Sequence, residues 1–447
     1  MPLITITGVG SELQGVGRLE DGRAVFVPGA LPGEEVEAQL LSVKERYALG
    51  RLTRVLSPSP ERVAPDCPWY EACGGCRARH MRYDCELKLK REKVRNDLTR
   101  LGGLKDPTVH DTLPSPSQNA YRDKAGFACR DGRAGVTREG TNELTEVDSC
   151  LLQTPGVNRL LSLARPLVKR FPACWLVLRE NADKELMLIV SVQQNCDIKR
   201  EALSLMQQEP RLKSVQLCLL KPRPAHALDG VCRCVAGAAS LSETLLGLKF
   251  RLSPLSFFQV NRAQAAKLYE LALDFAKAGP NVRIADVYCG AGTISLCAAA
   301  RGAQVTGIEI VAPAVEDARF NARQNGLGER AEFLQGDAAE IYPRLLRSRG
   351  FDAVIVDPPR KGLARPVVDA LIAAPAKRLV YISCDPATLA RDIKLLTASA
   401  YRFEQAIPVD MFPGTQHVET VCCLYHQKKE FISVPYEPKD ASHLKQC

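Results

Sequence analysis

The 447-residue chain reads as a multidomain α/β protein. A small N-terminal β-barrel is expected over residues 1–60, a central α+β domain over 61–250, and a Rossmann-like, doubly wound domain over 251–447. Three observations predict this. Short alternating apolar runs broken by glycine and proline fill the N-terminus. From about residue 255, helical and strand patterns alternate regularly. Several of the later strands end in residues that carry chemistry, as in Val354-Ile-Val-Asp357-Pro-Pro-Arg360 and Tyr381-Ile-Ser-Cys384-Asp. Open α/β sheets bind ligands outside the carboxyl ends of their strands, so those residues face whatever the fold binds.

In order along the chain, Leu3-Ile-Thr-Ile-Thr, Ala24-Val-Phe-Val and Glu35-Val-Glu-Ala-Gln-Leu are strands separated by turns at Gly8, Gly15, Gly29 and Gly33. Several short strands so punctuated suggest a closed barrel of the oligonucleotide-binding type. The proline-rich Ser57–Pro65 stretch bounds it. A cysteine cluster follows, then a helical segment from Arg77 to Arg100 with nine Lys/Arg against four Asp/Glu. That segment is read either as a solvated helix face or as a contact for RNA phosphates. The central domain mixes strands (Trp175–Arg179, Leu186–Val192, Ser214–Leu220) with helices. A helix from Asn261 to Lys277 precedes strands at Ile284–Tyr288, Gln304–Glu309, Ala331–Leu334, Ala353–Asp357, Leu379–Ser383 and Thr420–Tyr425. The last twenty residues show no periodicity.

Hydrophobic content of 46% and charged content of 25% are those of an ordinary globular protein. No basic-then-apolar leader and no run long enough to span a bilayer is present, so a cytoplasmic, membrane-free protein is expected, and a monomer. The +9 formal charge permits a nucleic-acid partner without requiring one. Seventeen cysteines, odd in number and irregularly spaced, do not suit a disulfide framework. Most, such as Cys129, Cys174, Cys218, Cys422 and Cys423, sit among apolar neighbours as packing residues, and Cys289 and Cys297 are read the same way.

The loop Asp286-Val-Tyr-Cys-Gly290-Ala-Gly292 follows a strand but lacks the third glycine of a pyrophosphate site. It suits a ligand without phosphates, such as S-adenosylmethionine. Glu309, nineteen residues after Gly290 at the next strand's end, is placed to accept from ribose hydroxyls. Asp337 ends the third strand, where the adenine would lie.

Methyl transfer from a sulfonium requires a nucleophile. Amine methyltransferases often carry an aromatic stacker after Pro-Pro, whereas this chain has Arg360. Carbon 5 of uracil is poorly nucleophilic until a thiolate adds at carbon 6, a role Cys384 can fill. A base must then remove the carbon-5 proton. Glu419, bordering the last strand, is the better candidate, and His417 is either a hydrogen-bonding neighbour or a structural histidine. Cys67, Cys73 and Cys76, spaced C-x5-C-x2-C, suggest a metal loop that needs a fourth thiolate, either Cys85 or Cys150.

The chain resembles the RNA uracil-5-methyltransferase family along nearly its whole length. The resemblance rests on Ser256-Phe-Phe-Gln259-Val-Asn261, the Asp286–Gly292 loop, Ile355-Val-Asp357-Pro-Pro-Arg-Lys-Gly362, Ser383-Cys-Asp-Pro-Ala-Thr and Phe412-Pro-Gly-Thr-Gln-His-Val-Glu419. It implies that Gln259, Tyr288, Glu309 and Asp357 contact S-adenosylmethionine, that Cys384 is the nucleophile and Glu419 the base, and that the barrel is an RNA-binding TRAM domain. The ribosomal-RNA branch of that family carries a [4Fe-4S] cluster with this three-cysteine spacing and a remote fourth ligand in a Ser-Cys-Leu context. This implies Cys150 as the fourth ligand and 23S ribosomal RNA as substrate. Zinc remains an alternative metal. Transfer RNA is the alternative substrate, weighed lower because the transfer-RNA enzymes are expected to be shorter and to lack both cluster and barrel. An inactive RNA-binding or assembly factor and an amino-methyltransferase are further alternatives. Gly414 departs from the family pattern, in which glutamine is expected, and should alter loop detail more than chemistry.

Overall fold

In the computed structural model, residues 1–427 are described, apart from 139, 140 and 142. The aperiodic tail 428–447 lies outside the described residues. Strands β1 (Leu3–Val9), β2 (Gly15–Arg18), β3 (Ala24–Val27), β4 (Glu35–Val43) and β5 (Tyr47–Ser57) close into a barrel in the order β1-β2-β3-β5-β4. The sequence alternation explains it: Ile4, Ile6, Val25, Val27, Val36 and Ala38 all point inward. The barrel does not hang free. Leu13 and Leu31 on its outside pack with Ala78, Met81, Cys85 and Leu89.

The cysteine loop leads into α1 (Tyr83–Arg100). Strands β6 (Lys124–Arg130), β7 (Arg133–Thr137) and β8 (Leu144–Thr145) follow, then α2 (Pro155–Arg170), β9 (Ala173–Glu180), β10 (Leu186–Val192), α3 (Lys199–Gln208), β11 (Leu212–Leu220) and β12 (Gly230–Gly237). These strands form one seven-stranded sheet, β12-β11-β10-β9-β6-β7-β8. The expected strands coincide with β9, β10 and β11. Every residue of β10 is buried, because α2 and α3 cover one sheet face while the other joins the core of the C-terminal unit.

The hairpin β13 (Leu241–Leu245)–β14 (Leu248–Leu252) introduces α4 (Arg262–Ala276), β15 (Arg283–Val287), α5 (Thr293–Ala300), β16 (Gln304–Glu309), α6 (Ala312–Gln324) and β17 (Ala331–Gln335). Then come α7 (Ala338–Ser348), β18 (Ala353–Val356), α8 (Arg365–Ala373), β19 (Arg378–Ser383), α9 (Pro386–Thr397), β20 (Tyr401–Val409) and β21 (Glu419–His426). The sheet order is β17-β16-β15-β18-β19-β21-β20, parallel except for β21. Helices α4–α6 cover one face and α7–α9 the other.

Two features were not foreseen. The strand β20 carries Arg402, Glu404, Gln405 and Pro408, a pattern without clean alternation. Residues 108–113 run along its outer edge, with bridges Val109–Ala406 and Leu113–Val409, which covers an otherwise open sheet edge. The charged helix α1 is solvated on one face only: Asp84, Lys88, Glu92, Arg95 and Arg100 are exposed, while Val94 and Leu98 enter the core beneath the C-terminal sheet, beside α9.

Candidate active site

Antiparallel pairing of β19 with β21 sets Ser383 opposite Thr420. The next residue outward on each strand is Cys384 on one and Glu419 on the other, so the register brings the thiol and the carboxyl to the same end of the sheet. Glu419 is buried and Cys384 half-buried. Burial pushes the Cys384 thiol up to about 11, with Glu419 adding to it and the Arg360 guanidinium opposing. Burial first, and Asp357 second, raise Glu419 to about 8, again against Arg360. A thiol held this high is not self-activated. It needs a base or a cation to become a nucleophile.

At the neighbouring strand ends, Asp357 is raised to about 7 by burial and then by Asp286. Asp286 is raised to about 6, chiefly by burial, although Ser295 Oγ donates to its Oδ2. Its Oδ1 is buried without a partner. Three carboxyls in a row, Asp286 and Glu419 buried and Asp357 half-buried, with no lysine or arginine paired to Asp286 or Asp357 among the described contacts, make a site that favours a cationic ligand. A sulfonium ligand meets that preference.

The glycine loop is built for close approach. Tyr288 takes φ 73°, a left-handed conformation costly for a side-chain-bearing residue, followed by Gly290 at 55° and Gly292 at 79°. A Cβ at Gly292 would sit 2.9 Å from the Phe333 ring, so only glycine fits. Glu309 Oε2 accepts from Gly290 N–H at 3.0 Å and its Oε1 from Val311 N–H at 2.9 Å, which fixes the carboxylate at the loop rim. Asp337 caps α7 by accepting from Ala339 N–H at 2.8 Å, and its charge reaches Tyr288. Gln259 is buried in the turn after β14. All five expected cofactor residues therefore lie at the carboxyl ends of the sheet or in the loop entering α4.

A cavity of about 250 Å³ reaches Cys384. Its walls include Arg360 and His417 beside the thiol, Lys93 and Asp97 from α1, and Ser11 and Glu12 from the β1–β2 turn of the barrel. The His417 ring packs edge-on to Phe412 at 6.0 Å. Burial and then Arg360, Lys93, Lys90 and Arg122 depress it to about 4, so it is a far poorer proton acceptor than Glu419. Sequence reasoning missed the barrel turn and α1 as parts of this cavity, since neither is near Cys384 in the chain.

The four candidate metal ligands are free thiols, each partly exposed. Among the described residues, no group of three or more His, Cys, Asp or Glu is drawn tightly enough to hold a metal ion. The four are nevertheless neighbours: Cys150 raises both Cys73 and Cys76, and Cys67 raises Cys73, each after burial. Cys85 is buried, and the charges acting on it are those of Glu61, Lys88, Glu92 and Glu86, not the other four cysteines. Cys67, Cys73, Cys76 and Cys150 thus lie within electrostatic reach of one another, and four thiols are a donor set that suits zinc or an iron–sulfur cluster. Cys289 and Cys297 are buried in the core as packing residues, as are Cys129, Cys218, Cys422 and Cys423, while Cys174 is only half-buried.

Residues 246–428 match the family model described as tRNA (Uracil-5-)-methyltransferase, and residues 3–53 match the TRAM domain. A protein of Gloeobacter violaceus described as an uncharacterized RNA methyltransferase is 35% identical, covering 94% of this chain and 95% of its own. One of Caldanaerobacter subterraneus with the same description is 36% identical over 94% of this chain and 96% of its own. Among solved structures, the Pyrococcus abyssi tRNA (uracil-54, C5)-methyltransferase in complex with S-adenosyl-L-homocysteine superposes with a TM-score of 0.75 at 26% identity. The match covers 95% of this chain and 100% of that one. This corrects the expectation that transfer-RNA enzymes would be distinctly shorter, so length does not separate the two substrates. No helix among the described residues is long and apolar enough to cross a membrane.

Proposed function

The chain belongs to the RNA uracil-5-methyltransferase family, S-adenosylmethionine-dependent enzymes, and on that premise we propose that it methylates carbon 5 of a uridine in 23S ribosomal RNA through a covalent bond from Cys384 to carbon 6. The observation that carries the covalent reading is the placement of Cys384 opposite Glu419 across β19 and β21, beside Asp357. S-adenosylmethionine supplies an electrophilic methyl group. Gln259, Tyr288, Glu309, Asp337 and Asp357 would hold it, with the carboxylates suited to its positive charge and ribose hydroxyls. The Cys384 thiol loses its proton to solvent, with the Arg360 guanidinium favouring the thiolate, and the sulfur adds at carbon 6, which makes carbon 5 nucleophilic. After methylation, Glu419 takes the carbon-5 proton, the electrons of that C–H bond form the 5,6 double bond, and the C6–S bond breaks to return the thiolate. The TRAM barrel, whose turn lines the same cavity, holds RNA at the site.

Cys67, Cys73, Cys76 and Cys150 would hold a [4Fe-4S] cluster, which would brace the loop they lie on. The ribosomal-RNA reading rests on this cysteine set. Transfer RNA is the second reading, favoured by the archaeal relative's substrate. The deciding experiment incubates the protein with total RNA from cells lacking the gene and maps 5-methyluridine by mass. Modification in 23S RNA is expected; modification confined to transfer RNA would reverse the substrate. In the same assay Glu419→Gln should accumulate an enzyme–RNA adduct stable to denaturing electrophoresis, and Cys384→Ala should form none. Turnover by Cys384→Ala would rule out the covalent route.

A further inference from the structure

Glu419 opens β21 directly after the turn 410–418 and pairs with Val409, the residue before Asp410, and the turn is held largely by residues outside the C-terminal sheet. The fully buried Lys90 ammonium donates to Asp410 Oδ1 and Glu86 Oε1, both at 2.6 Å, and to the Phe412 carbonyl at 3.2 Å. Glu86 Oε1 in turn accepts from Gly414 N–H at 2.8 Å, and Tyr83 Oη donates to Asp410 Oδ2 at 2.7 Å. The Gly414 carbonyl accepts from both Arg77 and Ala78 N–H at 3.0 Å, directly after Cys76. The turn has little freedom of its own. Lys90 and Lys93 of α1 and the end of the cysteine loop bind the Phe412, Gln416 and Gly414 carbonyls, while Asn261, Gln264 and Tyr121 bind those of Met411, Asp410 and Pro413.

We propose that Lys90, with Glu86 and Asp410, is the positioning group that sets where Glu419 stands, so that the helix following the cysteine loop governs release of the methylated RNA and not thiol addition. Cys384 follows β19, which is held on its other side by β18, whereas Glu419 pairs with Val409, next to the restrained Asp410. Loosening the turn therefore displaces the base and leaves the nucleophile in place. Lys90 touches no reacting atom, and its role is to fix geometry. This deepens the covalent reading above and rests on it.

Removing Lys90 alone would strand two buried carboxylates, so folding could fail for trivial reasons. The test is the neutral triad Lys90→Met/Glu86→Gln/Asp410→Asn, which keeps shape and removes the charges together, compared with the unsubstituted protein on RNA from cells lacking the gene. Rapid quenching and denaturing electrophoresis follow adduct formation and decay separately. RNA containing 5-fluorouridine, from which carbon 5 has no proton to lose, reports addition and methyl transfer without the elimination step. The triad variant should form adduct on the fluorinated RNA within about twofold of the parent rate, and its adduct on ordinary RNA should live at least tenfold longer. Adduct formation and decay that slow together, or a variant that does not fold, would overturn the proposal, because either makes the triad merely structural. Equal lifetimes would overturn it as well. If the unsubstituted protein itself forms no adduct on fluorinated RNA, the covalent reading falls, and this inference with it.

Discussion

The acids beside Cys384 are raised by burial, and a cationic ligand would favour their ionised forms. Asp286 near 6, Asp357 near 7 and Glu419 near 8 all bind protons more tightly than ordinary carboxyls, each because of burial before any neighbouring charge. Between about pH 4 and pH 8 the ligand-free fold therefore holds protons that the unfolded chain has released. Its stability should fall as pH rises through that window, with the loss complete above the folded values. A sulfonium ligand reverses the preference, because it favours the ionised acids. S-adenosylmethionine affinity should rise from pH 5.5 to pH 8, on the order of tenfold for each pKa unit recovered. S-adenosylhomocysteine, whose sulfur is neutral, should respond much less. Calorimetric titration of both ligands across that range checks the argument, and parallel pH dependences would show that the acids do not face the sulfur.

Among elements, the strand ends carrying Glu309, Asp357 and Cys384 were legible because parallel strands buried on both faces read as plain apolar runs closed by a polar residue. The turn 410–418 was legible as a motif but not as a mechanical part, since its restraints come from Tyr83, Glu86 and Lys90, more than three hundred residues earlier. The α1 helix shows the limit most clearly. Its charge made it read as a solvated face or an RNA contact, yet Lys90 and Glu86 are buried and paired with each other and with the turn. One-dimensional charge patterning cannot tell a surface lysine from one whose partner is brought by the fold. The same turn explains why glycine stands at 414. Its φ is 79°, and a Cβ would meet Arg79 Cγ at 3.3 Å. Gly414→Gln should cost about 1–2 kcal/mol through the left-handed backbone, read as a lower denaturation midpoint with S-adenosylmethionine affinity unchanged. An equally stable variant would mean that the turn can change conformation.

At the scale of the molecule, barrel, cysteine loop and catalytic unit are joined by one seam of contacts. The cysteine loop is the first test of it. Protein purified without oxygen should be brown, Cys150→Ser should lose the colour, and Cys85→Ser should keep it; a colourless protein with one zinc would replace iron–sulfur with zinc. The second test concerns the barrel. Leu13 and Leu31 seat it against Ala78, Met81, Cys85 and Leu89, and this docking places Ser11 and Glu12 at the mouth of the Cys384 cavity. A barrel on a free tether would raise the local RNA concentration only, whereas a docked one also sets the angle at which RNA meets the thiol. Leu13→Ala/Leu31→Ala removes the anchor and leaves the barrel's inner core, Ile4 to Ala48, untouched. Each truncation costs about 2–5 kcal/mol of packing, spent mostly at the seam. S-adenosylmethionine affinity should be preserved, which also reports that the catalytic unit is folded. The KM for full-length RNA should rise about tenfold, and the rate on a short oligonucleotide that reaches only the cavity should change little. The dependence of RNA affinity on salt should also flatten, because fewer phosphates are met at once. An unchanged KM for long RNA would show that the barrel captures substrate without orienting it.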